Sequence, residues 1–576
     1  MESEAARRRR LFSLVLAAET AILIALRWNQ YFLFDEYASL DQGSVLAVNH
    51  LIGRGLRPEV DFGYSYGLLP LLAGRAIFSP AGAHPLPYAI AIASIELALA
   101  AGIWRIVRAM PSSGAAMALV ALAMPLMVTR YDNLAYAMEA AFLAHAFAEH
   151  LRGRIDRALA LAIGAALCKP AMGYIYGAIM LAAMAAGRAG PGRHRFKLAP
   201  LALSLAAIPI PAGVFGARSL VRTLLPTRGI ASYRAMHTFG IRAATPDFMW
   251  QPGLNWHYYV GTYAVFRIGC LAFLVAAAAG CAVGAWRRRG VSLHEEAIIA
   301  IAVLAVADGV LLSFHYPYIA PIGAVLCAGL PGWPRLAAIV LCFAAIPPFF
   351  RGLGSDLAFA REHERSWATG GLWAREELMR EWEGAMKIAA GRRTATLGEM
   401  GAAGLVAPGI EPPEGAFFLP GNALEGDIER EYRQLESAEV VILFRRFYPY
   451  SSGTVLDTFP GLRAAVKDTE VVFRGERIEV RVRRPRKADG AQAEILSGSR
   501  QLAASETSRL RVREADSSSG HNSATSRSVA PLFMNNSSPA RTSSSSPTTI
   551  SSCGESTPSR SSIARYDAID PNAAKR

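Results

Sequence analysis

A chain of 576 residues that is 52% hydrophobic and only 18% charged is too apolar for a string of soluble domains, which carry about a quarter charged residues. Its net charge of +14 does not call for nucleic acid, because the basic residues flank long apolar runs, as membrane topology requires. Cys168, Cys270, Cys281, Cys327 and Cys342 fall inside such runs, with neither metal-ligand spacing nor a disulfide framework.

The chain starts "MESEAARRRR" and continues into an apolar run. No small-residue cleavage site follows and Glu19 interrupts the run, so a retained signal anchor is expected rather than a cleaved peptide. Apolar runs near 11–30, 86–106, 114–130, 134–151, 157–170, 173–187, 198–216, 263–285, 296–313, 317–332 and 335–350 predict about eleven membrane helices. The pair at 157–187 is short and broken by "CKP", so it reads as a tight hairpin or one broken helix. With the hairpin, "ARRRR", "RIVRAMP", "RGRIDR", "GRAGPGRHRFK" and "AWRRRG" all fall on one face, the cytoplasmic one. The segments 31–85 and 217–262 and everything after 350 then lie outside.

The first of these external segments, "FDEYASLDQGSVLAVNHLIGRGLRPEVDFGYSYGLLP", is unusual for a loop. Tyr37, Leu40, Val48 and Leu51 recur near helical spacing, with Asp41, Gln42, Asn49 and His50 between them. The pattern predicts a helix lying in the membrane interface, with Asp35 and Glu36 held at headgroup height. As a single residue, Asp35 also fits a plain helix cap. Beyond the last span, residues 351–488 read as a small external α/β domain. It holds a helix in "ERSWATGGLWAREELMREWEGAMKIAA" and strands in "EVVILF" and "RIEVRVRRP". From 489 to 576 the composition turns Ser-, Thr- and Arg-rich, which predicts disorder.

The first loop, with "DEY", "LIGRGLRP" and "DFGYSYGLLP", resembles the first external loop of GT-C membrane glycosyltransferases. Three further pieces match in order: "TRYDNLAYAMEAAF", "GAALCKPAMGY" and "FHYPYIAPIGAVL". The resemblance covers roughly residues 10–350 and identifies no subfamily. It implies an all-α polytopic catalytic domain over 1–350 that takes sugar from a polyprenyl-phosphate donor. Transfer would go to a hydroxyl of a glycan, lipid or protein acceptor, on the outer face of a bacterial inner membrane, by direct displacement with inversion. It also makes Asp132 the second external acid.

A lipid phosphate is a good leaving group that needs cations, and the acceptor hydroxyl needs a base, typically worth about 10²–10⁴-fold. Asp35 is the expected base, with Glu36 orienting the acceptor or sharing the role. Asp132 and Asp61 are expected at the acceptor; external acids could also ligate Mg²⁺ or Mn²⁺, though no sequence feature requires a metal. Lys169 reads as a contact to the donor phosphate or as a snorkelling lysine at a hairpin tip. Arg54, Arg57 and Arg228 could grip the phosphate; Arg54 and Arg57 equally suit an interface beside anionic lipid. Tyr64, Tyr66 and His315 are expected to line the cavity. The 217–262 loop, with Trp250, Trp256, Tyr258 and Tyr259, fits a lid or an aromatic interface belt. Two other classes compete. A transporter would place its ions and broken helices near the midplane, and a polysaccharide ligase or polymerase would carry its key loop late in the chain.

Overall fold

The computed structural model describes residues 4–39, 41–110, 133–185, 208–225, 264–311, 318–398, 401–418, 422–445 and 454–484, together with 202 and 205. Asp132, Arg228, His315, the span expected at 114–130, most of the 217–262 loop and the region beyond 489 lie outside the described residues.

The chain begins with helix α1 (Glu4–Arg27) and a 3₁₀ turn (Trp28–Phe32). Then follow α2 (Phe34–Ser39), α3 (Asp41–Gly53), α4 (Leu68–Ala81) and α5 (Pro85–Ala109). Pro85 opens α5 at the first helical position, where its missing N–H costs nothing, and the His84 ring accepts from Leu86 N at 3.2 Å. Helix α6 (Leu134–Leu151) is capped by Asn133, whose side chain accepts from Ala135 N at 2.9 Å. The core continues through α7 (Ile155–Cys168), α8 (Pro170–Ala185), α9 (Pro209–Phe215), α10 (Ala217–Leu224), α11 (Ala264–Arg288), α12 (Leu293–Leu311), α13 (Ile319–Ala328) and α14 (Trp333–Glu362). Among the described residues, two helices are long and apolar enough to cross a membrane: Pro85–Ala109 and Gly269–Arg288.

The "CKP" break is a hairpin. Lys169 precedes Pro170 and adopts extended backbone (φ −147°, ψ 113°), the conformation a following proline imposes. That ends α7, and α8 folds back so that Gly173 lies against Ala166 and Gly177 against Leu159 and Ala162.

After α14, strands β1 (His363–Arg365) and β2 (Trp373–Arg375) form an antiparallel pair. Helix α15 (Glu376–Ala389) and helix α16 (Glu425–Ser437) accompany a four-stranded sheet of β3 (Thr394–Leu397), β4 (Val440–Phe444), β5 (Thr469–Arg474) and β6 (Ile478–Arg483), in the order β3-β4-β6-β5. β3 and β4 run parallel; β6 is antiparallel to both its neighbours. β4 is buried at all five positions, as its unbroken apolar run requires of an inner strand.

Helices and sheet share one core. Phe34 of α2 sits 4.7 Å, ring to ring, from Trp382 of α15 and 6.4 Å from Phe444 of β4. The expected interfacial helix is therefore two helices, α2 and α3. Leu46, Leu51 and Ala47 of α3 are completely buried, and Tyr37 O accepts from Ala402 N at 3.0 Å. This region lies within protein and not along an open interface, because the chain after residue 362 covers it.

Candidate functional site

The loop between α3 and α4 is built around two close backbone approaches. Gly67 N donates to Cys168 O at 2.8 Å, and a Cβ on Gly67 would stand 2.1 Å from Leu167 O. Only glycine lets the loop rest on the end of α7. At Gly63 a Cβ would stand 1.9 Å from Asn422 O, so the same loop is pressed from the other side by the C-terminal region.

That placement brings Tyr66 over the hairpin tip. Lys169 is 6% exposed, with its ammonium 3.3 Å from the centre of the Tyr136 ring and 5.7 Å from that of Tyr66. Tyr66 and Tyr136 meet edge to face at 5.9 Å, and Tyr66 Oη donates to Asp41 Oδ1 at 3.2 Å. The charges of Asp41 and of Asp308 on α12 both act on Lys169. Glu139 of α6 is completely buried and within electrostatic reach of Asp308. Tyr64 packs against Tyr66 and Phe417, and its Oη donates to Gly67 O at 3.2 Å. A small cavity lies between Ser44, Asn49, Tyr64, Tyr66, Asn133 and Phe417. Tyr64 and Tyr66 thus line a cavity, and Lys169 sits in an aromatic and acidic surround.

Two carboxylates of the segment 31–85, Asp61 and Asp35, differ sharply. Asp61 Oδ2 accepts from the backbone N of Arg57 at 2.8 Å and from Nε at 3.0 Å, and its Oδ1 lies 3.4 Å from Nη2. Those hydrogen bonds hold the Asp61 carboxyl below the usual carboxylate range. Asp35, in the first turn of α2, is half-buried and makes no hydrogen bond or ion pair among the described residues. It acts electrostatically on His363, whose imidazole burial holds below its ordinary value. Glu36 follows it in the same turn.

Among the described residues, the two arginines expected at a donor phosphate are otherwise engaged. Arg57 is bound to Asp61, and Arg54 pairs with Glu414 at 2.7 Å. No three His, Cys, Asp or Glu side chains gather to hold a metal ion among the described residues. Asp61 does not suit Mg²⁺ or Mn²⁺, since both its oxygens face a guanidinium.

Asp41 is a site residue that sequence reading passes over. An aspartate at a helix start reads as a cap, and its link to Tyr66, 25 residues on, leaves no periodic trace. A second hidden feature clamps the loop. Asp427 Oδ2 accepts from Gly63 N at 2.7 Å and from Leu424 N at 3.1 Å. Arg430 bonds Asp427 Oδ1 at 2.7 Å and the Asp61 carbonyl at 2.8 Å. Burial pushes Asp427 up to about 6 and the neighbouring Glu431 up to about 8.

No protein-family model and no curated protein matches the chain. Among solved structures it is similar to the crystal structure of ArnT from Cupriavidus metallidurans in the apo state. The identity is 12% and the TM-score 0.41, over 84% of this chain and 100% of that one.

Proposed function

We propose that the chain is an integral-membrane glycosyltransferase of GT-C type. It moves a sugar from a polyprenyl-phosphate donor to an acceptor hydroxyl on the outer face of the membrane. The observation that carries the reading is the contrast between two acids of the segment 31–85: Asp61 is neutralised by Arg57, while Asp35 keeps a carboxylate without hydrogen bond or ion pair among the described residues, in a fixed helical turn. In the reaction, Asp35 takes the proton of the acceptor hydroxyl, whose oxygen attacks the anomeric carbon. The bond from that carbon to the donor phosphate oxygen breaks, and the phosphate leaves with the electron pair. Lys169 supplies positive charge for the anion formed, and the tyrosines around it give the sugar an aromatic wall.

Replacing Asp35 by Asn keeps size and polarity and removes the base. Turnover should fall by about 10²–10⁴-fold, with the concentration dependence on donor unchanged. Transfer from a radiolabelled polyprenyl-phosphate sugar by purified protein measures this. Retention of more than about a tenth of turnover would remove Asp35 from the role.

One observation favours a second reading. Lys169, Asp308 and Glu139 are ionisable, buried and clustered at a helix break, as in ion-coupled transporters. Proteoliposomes that accumulate solute without transferring sugar would select it.

A further inference from the structure

The end of the helical body formed by α5, α6 and α7 carries an arrangement that the proposed reaction does not use. Glu149, near the end of α6, has a side chain only 2% exposed, and four guanidiniums converge on it. Its Oε1 takes Arg105 of α5 and, at 3.0 Å, Arg152. Its Oε2 takes Arg154 at 3.3 Å and Arg157 at 4.0 Å. Arg105 also meets His145 Nδ1 at 2.8 Å. The arginine side chains remain between 26% and 53% exposed. Four guanidiniums around one carboxylate leave three positive charges in excess, and one carboxylate cannot saturate their N–H donors.

Topology alone asks only for exposed basic residues at a helix end. It does not ask that they be gathered and pinned by a buried acid. Pinning fixes the guanidiniums before any ligand arrives, which lowers the ordering cost of binding. The depth is also defined. Arg105 lies just before the last turn of the 25-residue helix Pro85–Ala109, which is apolar enough to cross a membrane. At about 1.5 Å per residue this helix outruns a hydrocarbon core of about 30 Å, so its end stands at the headgroups.

We infer that the Arg105, Arg152, Arg154 and Arg157 cluster is a binding site for the phosphate headgroup of an anionic phospholipid. The inference rests on the bilayer setting of the proposed function but not on its chemistry, so lipid retention and sugar transfer can fail separately.

The test is native mass spectrometry of the full chain released from detergent with added phosphatidylglycerol or phosphatidylcholine. The double variant Arg154→Gln/Arg157→Gln removes the two arginines farthest from Glu149. A basic group near an anionic surface strengthens attraction about fivefold, so the pair should weaken phosphatidylglycerol retention by about thirtyfold. Phosphatidylcholine retention should not change. The matched control is Arg287→Gln/Arg289→Gln, at the end of the other candidate span, where both side chains are exposed. Retention should survive in that control. Equal loss in both double variants would mean diffuse surface charge and overturn the site. So would wild-type protein that holds the two lipids equally. Displacement of the lipid by equimolar inorganic phosphate would overturn the lipid as the source of the anion. A melting temperature equal to wild type certifies the fold of each variant.

Discussion

Lys169 occupies an environment that discriminates between its two sequence-level readings. A snorkelling lysine keeps its ammonium in water, but this one is 6% exposed and sits over the face of Tyr136. A desolvated cation–π contact is worth about 2 kcal/mol, which offsets only part of the cost of burying an ammonium; the nearby charges of Asp41 and Asp308 offset more. A lysine held this way is suited to bind an anion that enters its surround. Lys169→Met should raise the donor concentration needed for half-maximal transfer by about tenfold or more, the loss of one charge-assisted contact. Lys169→Arg should recover part of it, since charge is kept while reach and donor geometry change. Measured with acceptor saturating, an unchanged donor dependence in the Met variant would end the phosphate-contact role. Asp35→Asn should give the reverse pattern, with maximal rate lost and donor dependence kept.

The α7–α8 hairpin and the loop that rests on it form the element that carries Lys169. Gly67→Ala puts a methyl 2.1 Å from a backbone carbonyl that cannot swing away. The substitution should lower the melting temperature by several degrees, and should also weaken donor use, because Tyr66 moves with the loop. Gly213→Ala, a helical glycine with open space around it, is the control and should be neutral or slightly stabilising. Unchanged melting for Gly67→Ala would mean that the loop is not seated on α7. The hairpin was one of two readings open to sequence, because a lysine before a proline marks a break without giving its angle. The long periodic elements were plain: runs at 86–106, 134–151 and 296–313 correspond to Pro85–Ala109, Leu134–Leu151 and Leu293–Leu311. "EVVILF" and "RIEVRV" likewise lie on β4 and β6. Boundaries set by tertiary contact were not. The run at 335–350 belongs to a helix that continues to Glu362, where charged residues hide a helix that hydropathy cannot follow. The one interfacial helix became α2 and α3 because Phe34 and Tyr37 meet partners more than three hundred residues away, such as Trp382 and Ala402. The same distance hides the Asp427–Gly63 bond, while the pair Asp35 and Glu36 stands out in sequence because it lies within one helical turn.

At the scale of the molecule, the first loop and the chain beyond residue 400 are joined through buried acids. Gly63 N is held by Asp427, and Arg430 ties the Asp61 carbonyl to that carboxylate. Arg54 reaches Glu414, and Glu59 Oε1 accepts from Tyr64 N at 2.6 Å. Glu431 is completely buried beside them, and its Oε2 has no hydrogen-bond partner among the described residues. Its folded value of about 8 stands above the ordinary 4.5, so between those values the folded chain binds a proton that the unfolded chain has lost. The stability this contributes is complete below pH 4.5 and drains away as pH rises through about 8. Asp427 acts in the same direction over the narrower window from 3.8 to about 6. Asp61, held low by Arg57, acts in the opposite direction and loses its contribution only as pH falls through 3.8 and below. The melting temperature should therefore fall between about pH 5 and pH 8. Glu431→Gln, which has no proton to lose, should flatten that fall while leaving the fold intact at low pH. Thermal melts of wild type and variant across that range decide the matter. Parallel pH curves would show that Glu431 is not the buried acid that sets this pH dependence, and Asp427, which holds Gly63 N, would then be the acid to replace.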